Sequence, residues 1–168
     1  MFISAGHSEN DPGAVAYGRR EADIVVEARN IISFYLQRDR VPHELDGFGT
    51  VNMPLNTVVQ RSKYHDLSIE LHCNAAASAH ASGVEVLCAP KDNVVAAKLC
   101  HAISTILEIP NRGVKPENAG QHSRLAFVRA GGMIVELFFI TNRRDLAAWD
   151  GRKWLVCREI ARILKEAA

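Results

Sequence analysis

The chain has 168 residues, 48% of them hydrophobic and 23% charged, which suits one compact domain with a single core and argues against disorder. Its formal net charge is +1, with Lys and Arg scattered along the chain, so the basic stripe that neutralises phosphates is missing and nucleic acid is not an expected partner. No apolar run approaches the ~20 residues of a spanning helix, and the first residues lack a charged and then apolar leader, so neither stable membrane insertion nor an export signal is expected.

In chain order, Phe2 to Ala5 reads as a short strand that stops at Gly6-His7. A polar stretch with an Asp11-Pro12-Gly13 turn follows. From Glu21 to about Arg38, Ile24, Ala28, Ile31 and Tyr35 recur at helical spacing, predicting a helix that turns Glu27, Arg29 and Arg38 to water. Pro42 breaks it, and "PHELDGF" is a weaker strand ending at the Gly47-Phe48-Gly49 turn. Pro54 opens a second helix.

"LSIELH" alternates, with Leu67, Ile69 and Leu71 on one face and Ser68, Glu70 and His72 on the other. "NAAASAHAS" reads as a mobile loop, "SGVEVLCA" as a strand, and Pro90 to about Leu107 as a helix. "IPNRGVKPENAGQHS" reads as loop, "RLAFVR" and "MIVELFFI" as strands, and the stripe Val156, Ile160, Ile163, Leu164 as a closing amphipathic helix. This alternation predicts a single α/β domain, residues 1–168, whose mostly parallel twisted sheet carries helices on both faces. Cys73, Cys88, Cys100 and Cys157 form no C-x-x-C pair and are expected to be small buried apolar residues in a reducing compartment.

Ligands gather at the carboxyl ends of strands in an open parallel sheet. His7 follows the first strand, His72 ends "LSIELH", Glu136 lies late in "MIVELFFI", and Glu21 begins the helix returning from the same edge. Two imidazoles and one carboxylate form a common catalytic zinc set that leaves a fourth position for water, and a further carboxylate can move that water's proton. Each residue also has a plainer reading. A strand-end histidine is often only hydrogen-bonded, a glutamate suits a helix's first turn, and Glu136 could be paired within the core. An unpaired carboxylate inside "MIVELFFI" is costly to bury, which makes Glu136 the sharpest of the four. His43, His65, His80, His101 and His122 are spare, with His80 and His122 in loops that could border the site. No phosphate-binding or nucleophile-elbow motif is present.

With those residues in hand, the chain resembles the zinc-dependent N-acetylmuramoyl-L-alanine amidases of the Amidase_3 type, found in bacterial wall hydrolases and phage endolysins. "ISAGHSENDPGA", "READIVVEA", "DLSIELHCNA", "SGVEVL", "NRGVK", "RLAFVR" and "IVELFFITN" follow one another in that family's order. Glu70 stands where a small hydroxyl residue is usual, Phe138 where a glycine is common, and "RAGGMIVE" lacks the usual proline; these departures bear on the shape of the cleft.

The resemblance implies hydrolysis of the amide between N-acetylmuramic acid and L-alanine in peptidoglycan. It also implies one Zn2+ per chain on His7, Glu21 and His72, Glu136 as base and then acid, and Asn74 near the substrate. It further suggests an endolysin-like enzyme made in the cytoplasm and acting on the wall after release, with no separate wall-binding domain and no obligate protein partner. Two other readings stay open: another zinc peptidase such as a carboxypeptidase, with Arg61, Arg112 or Arg129 gripping a terminal carboxylate, and a wall-binding protein without activity.

Overall fold

The computed structural model describes residues 1–117 and 125–168. Six strands form the main sheet: β1 (Phe2–Ala5), β4 (Glu44–Leu45), β5 (Ser68–Asn74), β6 (Val84–Leu87), β7 (Asn111–Lys115) and β8 (Met133–Phe139). Their spatial order is β4-β1-β5-β8-β6-β7. Every neighbouring pair is parallel except β6 with β8, so the expected mostly parallel sheet is present, with its far edge reversed.

Three helices cover one face: α1 (Glu21–Arg38), α3 (Asn93–Leu107) and α5 (Arg143–Ala167). The main core lies beneath them, built from Ile3, Ile24, Ile69, Leu71, Val135 and Trp149 among others. Among the described residues, the opposite face has only the short helices α2 (Leu55–Ser62) and α4 (Ala126–Arg129). Its smaller core holds Phe2, Val58, Leu87, Phe127, Val128 and Ile134. Eight and four helical residues cannot cover a six-stranded sheet, so among the described residues a cleft remains on that side at the carboxyl ends of β1, β5 and β8.

Several expectations are corrected. "RLAFVR" is no strand: its described part forms α4, because Phe127 and Val128 both turn into the smaller core and Gly132 packs against the Phe127 ring, where a Cβ would come within 2.2 Å. "NRGVK" is no loop but the edge strand β7. None of its residues is fully buried, and it shifts register near Gly113, at φ 79°, so it never carried an apolar pattern. Between Gly6 and α1, β2 (Val15–Ala16) and β3 (Arg19–Arg20) make a small hairpin. Its turn residues Tyr17 and Gly18 both have positive φ, 52° and 75°, as a tight two-residue hairpin requires.

The largest correction is Arg29, which does not face water. It is 0% exposed and pairs with the equally buried Asp46 at 2.7 Å. Phe138 is corrected in the other sense: β8 carries one extra residue between the pairs His72/Glu136 and Asn74/Phe139. This bulge leaves Leu137 and Phe138 both in the main core, where Phe138 stacks on Trp149 at 5.4 Å. The loop after β5 is tied down by Asn142 Nδ2 to Ala81 O (3.1 Å) and Ser82 Oγ to Asp145 Oδ1 (2.7 Å). All four cysteines are free and buried, as expected.

Candidate metal centre

His7 follows β1, Glu21 opens α1 and His72 lies near the end of β5. Gly6 N–H extends the β1/β5 pairing by donating to Leu71 O at 2.9 Å, and His7 follows as the first residue free of the sheet. Asn52 Nδ2 donates to the carbonyls of Ala5 (3.1 Å) and His7 (2.6 Å), and Asn52 Oδ1 accepts from Arg29. The buried ion pair of Arg29 and Asp46 thus fixes the backbone that carries His7. On its side chain, His7 Nδ1 lies 3.1 Å from Asp11 Oδ2 and Nε2 lies 3.4 Å from Glu21 Oε1.

Glu21 opens α1 and is buried. Two backbone amides hold its carboxylate: Cys73 N–H reaches Oε1 at 2.8 Å and Ala14 N–H reaches Oε2 at 2.9 Å. The same Oε1 stands 3.2 Å from His72 Nδ1. One carboxylate oxygen therefore meets both imidazoles, whose rings lie edge to face at 5.1 Å. Ligand atoms of His7, Glu21 and His72 all fall within 4.8 Å of one another.

Two glycines make room. A Cβ on Gly6 would come within 2.1 Å of the His72 ring, and one on Gly13, at φ 62°, within 2.6 Å of Glu21 Oε2 and 2.7 Å of the His7 ring. Sequence reasoning gave Gly13 only a turn and Asp11 no part beside His7. The Gly-His step after the first strand was the available signal.

Glu136 is paired in register with His72 on the adjacent strand, and both line a cleft of about 500 Å3 with Gly6, His7, Glu21 and Glu70. Glu136 Oε2 is buried without a hydrogen-bond partner among the described residues. Burial pushes its carboxyl up to about 7; the His72 charge opposes this, and the carboxylates of Glu21, Glu85 and Glu70 add to it. Burial works the same way on Glu21, but the hydrogen bond and charge of His72, with the two backbone amides, outweigh it and leave Glu21 below its ordinary value. His72 is burdened by burial too, yet hydrogen bonds to Glu21 and Glu70 and the charge of Glu136 hold it well above its ordinary value. The cluster is short of positive charge. Its imidazole and carboxylate donors, the orphaned Glu136 oxygen and the glycine-shaped space all fit a divalent ion with an N/O preference.

Asn74 lines the same cleft, but its Nδ2 donates to Glu85 Oε1 at 2.6 Å and its Oδ1 accepts from Ala75 N–H at 3.0 Å. Arg112 Nε donates to the other oxygen of Glu85 at 2.9 Å. Other histidines have structural partners: His43 with Ser33 and Val41, His65 with Glu44 and the Phe2 ring. His80 borders a different pocket, beside Arg143, and His122 lies outside the described residues. Arg61 is paired with Glu44 at 3.1 Å, and no described helix is long and apolar enough to cross a membrane.

The family model described as N-acetylmuramoyl-L-alanine amidase matches residues 1–166. Among solved structures, the chain is 42% identical to a Neisseria meningitidis protein described as an N-acetylmuramoyl-L-alanine amidase, with TM-score 0.91, covering 99% of this chain and 94% of that one. The catalytic domain of a Bacillus (Paenibacillus) polymyxa amidase is 18% identical, with TM-score 0.85 and coverages of 99% and 96%. An amidase of Nostoc punctiforme is 20% identical, with TM-score 0.85 and coverages of 99% and 97%. These last two likenesses bear on the fold alone. No curated protein matches the chain.

Proposed function

Because the chain belongs to the N-acetylmuramoyl-L-alanine amidase family and is a hydrolase of cell-wall peptidoglycan, we propose that His7, Glu21 and His72 hold one zinc ion and that Glu136 moves the proton in amide hydrolysis. The substrate bond is the amide between the lactyl group of N-acetylmuramic acid and L-alanine. The observation that carries this reading is the meeting of His7 Nε2 and His72 Nδ1 on one oxygen of Glu21, 3.4 and 3.2 Å away.

Zinc bound there supplies Lewis-acid polarisation of the amide carbonyl and makes water acidic enough to react near neutral pH. The protein's residues do the rest. Two backbone amides pin Glu21 so that it need not reorganise, and Asp11 stands behind His7 as a carboxylate partner. Glu136, buried beside that site with an unpartnered carboxyl oxygen among the described residues, is the group that takes a proton from water and returns it to the leaving amine. Asn74, anchored by Glu85, has a second amide hydrogen to offer the substrate at the cleft wall.

The carboxypeptidase alternative has less support: Arg61 and Arg112 are both paired with glutamates, and Arg129, exposed on α4, is not among the described residues that line the cleft. Residues 1–168 act as a single catalytic domain in this reading. Mass spectrometry of digested sacculi tests it. New L-alanine amino termini, abolished by chelator and restored by zinc, are expected, together with falling turbidity of a wall suspension. Release of free C-terminal amino acids would favour the peptidase, and wall binding without turnover the inactive protein.

A further inference from the structure

Glu70 lies beside the candidate metal centre and has no step assigned to it above. It is buried, and no Lys or Arg is among its partners in the described residues. Its Oε1 stands 3.2 Å from His72 Nε2 and its Oε2 3.4 Å from Ser4 Oγ. Ser4 Oγ donates to Asp46 Oδ2 at 3.0 Å, and Asp46 Oδ1 is paired with Arg29 Nη1 at 2.7 Å. A buried carboxylate needs donors, and the shortest contact Glu70 has is the imidazole.

The two nitrogens of His72 face different partners. Nδ1 is turned to Glu21 and so toward His7; Nε2 is turned to Glu70. Gly6 closes the Nε2 edge as well, since even a Cβ there would come within 2.1 Å of Nε2 and Cε1. A proton on Nε2 therefore satisfies Glu70 and leaves the Nδ1 lone pair toward the other two donors.

We propose that Glu70 is a positioning residue for the metal: it accepts His72 Nε2–H and makes Nδ1 the ligating atom. This rests on the metal-centre reading given above. Carboxylate partners of ligating histidines hold the ring and raise its basicity, and their loss typically weakens metal affinity ~10–100-fold.

Zinc titration of chelator-stripped protein against a competing chromophoric chelator tests this, using wild type, Glu70→Ala, Glu70→Gln and His72→Ala. Glu70→Ala should bind zinc ~10–100-fold more weakly, while Glu70→Gln, whose carboxamide oxygen still accepts Nε2–H, should stay closer to wild type. Long-range proton–nitrogen NMR of zinc-loaded wild type should show His72 protonated on Nε2 and ligating through Nδ1, a readout that needs no variant to fold. Wild-type affinity in a folded Glu70→Ala, or ligation through Nε2, would overturn the role of Glu70 and leave the metal centre standing. Wild type without zinc affinity, or His72→Ala with unchanged affinity, would overturn both.

Discussion

His72 and Glu136 sit directly across from each other on the parallel strands β5 and β8, one pair before the register shifts. An imidazole and a carboxyl are thereby fixed on one face of the sheet by backbone pairing alone. That relationship makes Glu136 both a candidate proton carrier and a burden on the fold.

The burden has a sign. Glu136 titrates near 7 in the folded chain against an ordinary 4.5, so the folded state holds this proton more tightly. Its contribution is fully present below about 4.5 and is lost as pH rises toward about 7. The full shift corresponds to about 3 kcal/mol. Urea unfolding of metal-free protein between pH 4 and 8 should show wild type losing more stability than Glu136→Gln as pH rises. His72, also raised, adds a loss of the same sign to both proteins. In the zinc-loaded enzyme the same substitution should cut turnover by ~100- to 10,000-fold, while zinc stoichiometry stays at one.

Gly6→Ala and Gly13→Ala should each weaken zinc binding by at least about 10-fold, since their methyl groups would displace His72, or His7 and Glu21, by clash. Gly18→Ala is the control. It also has positive φ but nothing within 4 Å of its Cβ, so it should cost roughly 1–2 kcal/mol of stability with zinc affinity unchanged. Competition titration beside thermal unfolding separates the two effects.

Asp46→Ala strands the fully buried Arg29 guanidinium. Removing one partner of a buried pair costs about 3–5 kcal/mol, and chemical denaturation should show a loss of that size. The same change removes the carboxylate oxygen that accepts Ala5 N–H at 3.1 Å, two residues before His7, so zinc affinity should fall too.

Phe138→Ala should destabilise by about 3–5 kcal/mol through the cavity left against Trp149. Its side chain lies in the core, away from the cleft. KM for muropeptides should therefore change little in the folded fraction, which steady-state kinetics can check.

Much of this was legible in the sequence because the relevant signals are local. Alternation in "LSIELH" put Glu70 and His72 on one face, helical spacing gave α1 its bounds, and strand ends marked His7 and Glu136 as sharing a rim. What was illegible depends on partners distant in the chain. Arg29 looked like a solvent-facing helix residue because nothing nearby announces Asp46 or Asn52. The edge strand β7 needs only half of its hydrogen bonds and little apolar surface, so its residues read as loop. The four-residue helix α4 is too short for helical periodicity to separate it from a strand. The bulge that sends Phe138 inward is a property of the pairing between β5 and β8, not of either strand alone.

The most direct measurement is a crystal structure of zinc-soaked protein with anomalous diffraction at the zinc edge. One peak about 2.0–2.2 Å from nitrogen atoms of His7 and His72 and a Glu21 oxygen is predicted, with His72 approaching through Nδ1. A peak bound elsewhere, or none at full zinc occupancy in solution, would contradict the account.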